Sequence, residues 1–90
     1  MFIKGVAFVA EELSTEQLRL LKKGDTVTLG VTPDREPQES FVIKVRISAT
    51  DHQKAVTRVE GNTIYNEKRA EVIAILSLQG ESYVQLISYS

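Results

Sequence analysis

The segment SFVIKVRIS, residues 40–48, alternates apolar and polar side chains almost without a break. Side chains on a β-strand point to opposite faces in turn, so this spacing predicts a half-buried strand. The inward face would carry Phe41, Ile43, Val45 and Ile47. The outward face would carry Lys44 and Arg46, which places two cations side by side on the surface.

Other strand-like segments lie on both sides of this one. They are residues 2–9, 25–31, 54–59, a brief return at 63–65, 69–78 and 82–89. Gly5 predicts a bulge or bend in the first strand, residues 32–39 and 49–53 predict loops, and residues 60–62 predict a turn. The apolar run in 69–78 predicts a strand covered on both faces. Six or seven short strands predict a mainly β fold, a small partly open β-barrel of the OB or SH3-like kind.

One helix is predicted between the first two strands. Ser14 is a good N-cap residue, and Gln17 completes a capping box with it. Leu13 and Leu18 occupy the positions of a hydrophobic staple, and Gly24 is the expected terminator. A helix of about two turns is unstable alone, so it must pack its leucines on the sheet.

The bulk composition limits the class of protein. Ninety residues, 42% hydrophobic and 26% charged, predict a single globular domain over residues 1–90. A net charge of −1 excludes a uniformly basic nucleic-acid binder. The absence of cysteine favours a cytoplasmic location. The apolar start is broken by Lys4 and predicts a strand rather than a signal peptide, and no run is long enough to span a membrane.

The chain lacks the residue sets that catalysis or metal binding requires. It has no cysteine, no glycine-rich phosphate loop, and one histidine, His52, beside Asp51. We interpret His52 as an exposed loop residue. The sequence therefore predicts a non-catalytic binding module without a cofactor or a metal.

Basic residues could form a binding surface on the sheet. Lys54 and Arg58 lie four apart, and hence on one face of the strand expected to follow Lys44 and Arg46. If the two strands pair, the four cations share an outer surface that could follow a phosphate backbone. The alternative is an ordinary solvated face that keeps the sheet soluble.

Proteins that bind single strands often add aromatic side chains on which bases stack. Phe41 belongs to the inward set, and Tyr65 lies beside a predicted turn, where it could be exposed. Tyr83 and Tyr89 share one strand face and are interpreted as core or barrel rim. Phe8 lies at the end of the first strand, near the helix.

The arrangement LKKGDTVTLGVTPDREP, residues 21–37, followed by ESFVIKV, residues 39–45, resembles the HIRAN domain family. The matching elements are Gly5 and Phe8, then Gly24, Val27 and Leu29, then Arg35-Glu36-Pro37, and finally Glu39 before residues 42–45. This chain lacks the N-x-P-x-D segment that usually follows R-E-P in the family. It also has Ala7 where a basic residue often stands.

The resemblance implies an OB-like barrel that binds the 3′ end of single-stranded DNA, often within helicase-like repair proteins. It implies a pocket beside the loop that contains Arg35. Phe8 would stack a base there, and Glu39 would act at the terminal hydroxyl. A phosphate contact by Lys44 is our inference from its strand position.

Two functions follow as expectations. The first is a module that binds single-stranded DNA or its 3′ end, with steep salt dependence. The second is a protein-interaction, adaptor or inhibitor barrel that pairs through an exposed strand edge, as in a homodimer. The feature that discriminates them is whether the four cations on the two strands converge on one exposed surface. The first function fails if that surface is neutralised by the acids Glu60, Glu67 and Glu71.

Overall fold

A computed structural model describes residues 1–88, in which six antiparallel strands form a closed barrel accompanied by one short helix. The elements are β1 Phe2–Val9, α1 Thr15–Arg19, β2 Thr26–Pro33, β3 Phe41–His52, β4 Val56–Tyr65, β5 Lys68–Ser77 and β6 Ser82–Ser88. The predicted mainly β barrel with a short helix is confirmed. The expectation for Tyr89 lies outside the described residues.

Each strand pairs with the next one along the chain, and β6 returns to pair with β1 from Phe2↔Ile87 to Ala7↔Ser82. Closure occurs because β1 pairs with β6 through its first part and with β2 from Gly5 onward. A closed barrel has no free edge. Among residues 1–88, no strand lies at the edge of an open sheet, so this topology does not support the expected pairing of a partner with an exposed edge strand.

The barrel interior is filled by the inward side chains that the alternation predicts. Val27, Leu29 and Val31 of β2 are fully buried, and Ile43 and Val45 of β3 are 3% and 0% exposed. Leu18 and Leu21, from α1 and the segment after it, join the same core cluster. The short helix is thus held by burial of its leucines, as its length requires.

The predicted capping box of α1 is present. The Ser14 hydroxyl accepts from the Gln17 backbone N–H at 3.2 Å, and the Gln17 side chain accepts from the Ser14 N–H at 2.8 Å. The helix ends at Arg19, five residues before the predicted terminator Gly24. Gly24 instead turns the chain into β2, with φ +96 and its N–H donating to the Ile47 carbonyl at 2.9 Å.

The predicted loop at residues 49–53 is wrong for residues 49–52, because β3 continues to His52, and of these residues only Gln53 lies in the connection to β4. The ring Nε2 must donate to the Leu21 carbonyl, at 2.9 Å, and in the neutral ring Nδ1 then accepts from the Thr57 hydroxyl at 3.1 Å. The Arg19 guanidinium also donates to the Lys54 carbonyl. These bonds tie the helical segment to the β3–β4 hairpin.

The predicted turn at Gly61 is also wrong, because this glycine lies inside β4. The pairing shifts between Ile47 and Ala49, which leaves Ser48 as the extra residue of a β-bulge. A Cβ on Gly61 would lie 2.3 Å from the Arg46 carbonyl oxygen. The glycine therefore allows close approach of β3 and β4 rather than a change of direction.

Two further strand expectations change. Gly5 pairs regularly with Pro33, and a Cβ there would lie 2.2 Å from the Thr32 carbonyl oxygen, so it allows close strand approach without a bulge. In β5, Ile73 and Ile75 face outward and are half-buried. The strand is covered by the core on one face only, because these two alternate with its fully buried residues, Val72, Ala74 and Leu76.

Candidate functional site

Lys44 and Arg46 project from the outer face of β3, as their spacing predicts. On β2 they lie opposite Thr28 and Thr26, and on β4 Arg46 lies opposite Asn62. All three cross-strand neighbours are uncharged. The two cations are therefore exposed without an opposing carboxylate in the adjacent strands.

These two residues line a groove of about 560 Å³, which we call the basic groove. Its lining residues are Lys23, Gly24, Lys44, Arg46, Ile47, Ser48, Asn62, Thr63, Ile64 and Arg69. Among the residues that the structure describes, this lining contains four cations and no acidic side chain. Such a surface attracts an anion without an internal competitor.

Two of the four cations reach the groove from outside β3. Lys23 arrives on the segment between α1 and β2, which is fixed by a hydrogen bond from Ile47 N–H to the Asp25 carbonyl at 2.8 Å. Arg69 arrives on β5, where its Nε donates to Asn62 Oδ1 at 3.4 Å. Sequence reasoning missed both, since neither shares a strand with the cations it identified.

The other two predicted cations lie elsewhere. Arg58 is opposite Asp51, and its guanidinium forms an ion pair with Glu60 at 2.6 Å. Lys54 lies in the connection between β3 and β4. The expected surface of four converging cations does not form, because Arg46 and Arg58 are separated by four residues along the β3–β4 ladder.

The three acids that could neutralise the surface are also divided. Glu60 is engaged by Arg58, and Glu67 lies in the turn between β4 and β5. Glu71 is opposite Asn62 and lines a second groove of about 220 Å³ together with Glu60. This acidic groove borders the basic one but does not enter it.

The charge of the whole chain is distributed unevenly as a result. The sequence has eleven cations and twelve acids. Setting aside the four cations of the basic groove leaves seven cations against those twelve acids. The basic groove is thus a positive region on an otherwise negative protein.

The segment with R-E-P forms an exposed loop between β2 and β3. Glu39 N–H donates to the Glu36 carbonyl at 2.9 Å, and the Ser40 hydroxyl donates to the Pro37 carbonyl at 3.1 Å. Arg35 and Glu39 are exposed, and neither lines the basic or the acidic groove. Their predicted sites are therefore separate from the basic groove.

Phe8 is 56% exposed on the outer face of β1. Its ring covers Gly30 of β2, where a Cβ would lie 2.1 Å from the ring tip. Gly30 pairs with Val42 on β3. Val42 lies two residues before Lys44, on the same outer face of that strand. Phe8 thus shares the outer surface with the predicted cation but lies outside the groove.

The structure corrects one expectation for the other aromatic residues and narrows a second. Tyr65 is not a free platform, because it turns inward and packs on Phe41 with ring centroids 4.7 Å apart. For Tyr83 the core alternative is excluded and the rim alternative is left, because the side chain is 53% exposed and the inward positions of β6 belong to Val84 and Leu86.

Comparison of the chain with protein-family models, curated proteins and solved structures found no match. No helix among residues 1–88 is long and apolar enough to cross a membrane. The same residues contain no cluster of three or more histidine, aspartate or glutamate side chains placed to hold a metal ion. Function therefore has to be inferred from the groove itself.

Proposed function

We propose that this protein is a non-catalytic module that binds single-stranded nucleic acid, in the first place DNA, along the basic groove. One observation carries the proposal: four cations line a single groove that contains no acid, on a chain with net charge −1. A general excess of positive charge does not explain this concentration of cations.

The cation types suit a phosphate backbone. Arg46 and Arg69 offer planar guanidinium groups that bind phosphate oxygens in pairs, and Lys23 and Lys44 offer mobile point charges. A positively charged groove that follows the backbone is the usual feature of proteins that bind single strands without sequence preference. The resemblance to HIRAN domains supports the same class of ligand.

The first experiment is fluorescence anisotropy with a labelled single strand of ~10 nucleotides over a salt series. Each phosphate contact contributes a slope of about −0.7 in log K against log salt for a single strand. Four contacts predict a slope of roughly −3, which is an affinity loss of about 50-fold between ~50 and ~200 mM salt. No binding at the lowest salt would refute the proposal.

The double variant Lys44→Gln/Arg46→Gln tests the location of the site. It should weaken binding at low salt and reduce the slope by about 1.4, because two of the four contacts are lost. The matched control is Lys54→Gln/Arg58→Gln, which removes the same charge from outside the groove and should leave the slope unchanged. Equal losses in the two double variants would show that only net charge matters.

The 3′ end is tested separately, since Arg35 and Glu39 lie in another exposed loop. We propose binding along the strand, so strands ending in a 3′ hydroxyl or a 3′ phosphate should bind equally. If the phosphate end abolishes binding and Glu39→Ala removes that preference, the site is the R-E-P loop and not the basic groove.

A second candidate, protein interaction, is favoured by a different surface. Phe8, Val42 and Tyr83 are each more than half exposed, and Val6 lies directly opposite Tyr83. Exposed apolar residues in neighbouring positions are typical of protein interfaces. The partner proposed is a second copy of the chain. Sedimentation should then show a dimer that persists at high salt and dissociates with Phe8→Ser, whereas a salt-independent monomer would exclude it.

A further inference from the structure

Ile64 is a large apolar side chain that lies exposed inside the basic groove. It is 68% exposed on the outer face of β4, while its neighbours Thr63 and Tyr65 face the barrel interior. Its exposed side chain therefore contributes little to the core of the barrel. Covering such a side chain with the apolar face of a ligand is favourable in water.

Ile64 lies between the cations of the groove, on β4. Ile47 is 2% exposed and Gly24 has no side chain, so Ile64 is the large apolar side chain that the described lining presents to solvent. Lys44 and Arg46 lie on the β3 side of it. Arg69 lies directly across from it on β5.

We propose that Ile64 is the contact for a nucleobase, so that a base of the single strand packs on this side chain while its phosphates contact the surrounding cations. This inference rests on the proposed function and specifies its ligand. A polymer of phosphate alone would leave Ile64 exposed to water. A nucleotide has both an apolar face and an anionic group.

The position of Arg69 supports this assignment. It is the cross-strand partner of Ile64, and cross-strand pairs have Cβ atoms ≈ 4.5–5.5 Å apart. Its hydrogen bond to Asn62 holds the guanidinium on the groove side of β5. A base seated on Ile64 therefore brings its own phosphate within reach of that guanidinium. The contact is apolar and predicts no strong preference among bases.

The test compares two labelled ligands with the same number of phosphates, an oligothymidylate of ~10 nucleotides and an abasic strand of the same length. The wild-type chain should bind the oligothymidylate about fivefold more tightly, as expected from covering part of one aliphatic side chain. Both ligands should show the same salt slope.

Ile64→Thr should remove the difference between the two ligands and leave the salt slope unchanged. Threonine keeps the branched Cβ that a strand favours, and the melting temperature checks that the variant folds. The matched control is Leu20→Thr, which alters an apolar side chain that is 72% exposed outside the groove and should keep the fivefold difference. Arg69→Gln should reduce the slope and preserve the preference for bases.

The outcomes separate the two proposals. Equal binding of both ligands by the wild-type chain overturns the role of Ile64 while phosphate binding by the groove stands. Equal weakening of both ligands by Ile64→Thr overturns it as well, because the residue then acts through structure. No binding of either ligand at low salt overturns the proposed function and this inference together.

Discussion

Two arginines on the outer surface of the β3–β4 ladder have opposite surroundings. Arg46, on β3, is opposite the uncharged Asn62 and lines the basic groove. Arg58, on β4, is opposite Asp51 and forms an ion pair with Glu60. Both residues follow from the same rule of alternating faces, yet only the first presents its charge to a groove without acids.

The difference shows that strand spacing determines which face a cation occupies, and strand register determines what lies beside it. The side chains of Arg58 and Glu60 are 38% and 40% exposed, so their pair contributes only about 0.2–1 kcal/mol to stability. Its larger effect is local cancellation of charge. In the basic groove the cations lie together, and their fields add.

The largest expected effect comes from crowding the pairing of β3 with β4, which sets this register. Gly61→Ala places a Cβ 2.3 Å from the Arg46 carbonyl oxygen and 2.7 Å from a Val45 methyl group. Because backbone must move to make room, we expect a loss of about 1–3 kcal/mol in the free energy of unfolding. Urea denaturation measures this loss.

The control for close packing is Gly24→Ala. Gly24 has φ +96 but no neighbouring atom within 4 Å of an added Cβ, so the variant tests backbone strain alone. We expect a cost of about 1 kcal/mol from strain. If Gly61→Ala costs nothing while Gly24→Ala shows its cost from strain, crowding between β3 and β4 is not what requires the second glycine.

The sequence predicts the faces of this barrel better than the ends of its elements. Alternation correctly places the inward side chains of β2 and β3, and the capping box of Ser14 and Gln17 is correct because both depend on local geometry. Residues 49–53 and 60–62 look like loop and turn because they are polar or contain glycine. Residues 49–52 and 60–62 are strand because pairing with neighbours outweighs these local preferences.

A smaller effect is expected from the acid beside Arg58. Glu60→Gln removes one negative charge that lies near the basic groove, two residues from Asn62. We expect single-stranded DNA to bind about twofold more tightly at low salt, with the gain lost at high salt, because salt screens interactions between solvent-exposed charges. Anisotropy measures both conditions.

The control for that variant is Glu81→Gln, which removes the same charge from the loop before β6 and should leave DNA affinity unchanged. A gain of more than about tenfold with Glu60→Gln would mean that the freed Arg58 contacts the strand. The two arginines would then belong to one site, and the contrast between them would disappear.

The composition of the candidate site could be predicted only in part. Lys44 and Arg46 follow from spacing within one strand. Lys23 reaches the groove through the connection from α1 to β2, and Arg69 and Ile64 come together through the turn at residues 66–67. Both turn residues have positive φ, and neither is the glycine that usually marks such a hairpin. These contacts depend on tertiary register, which one strand's pattern does not contain.

The smallest expected effect concerns the pKa of Tyr83. Tyr83 and Glu81 lie two apart in sequence, as Arg58 and Glu60 do. The Tyr83 hydroxyl donates to Glu81 Oε2 at 3.2 Å. This hydrogen bond, together with the negative charge of Glu81, raises the pKa of Tyr83 above its ordinary value of 10.0. Here the acid accepts a hydrogen bond from a neutral hydroxyl, whereas Glu60 forms an ion pair with Arg58.

Glu81→Gln should lower the pKa of Tyr83 toward 10.0, measured from the phenolate absorbance against pH, with Tyr83→Phe to assign its signal among the three tyrosines. Because the pKa in the folded protein is raised, the stabilisation is full below pH 10 and is lost as the pH rises through the higher value. The variant and the wild-type chain should therefore differ in the pH dependence of stability only above about pH 10. An unchanged pKa would show that the Tyr83 hydroxyl does not donate to the Glu81 carboxylate in solution, so that of the two acid pairs only the ion pair of Arg58 and Glu60 would remain.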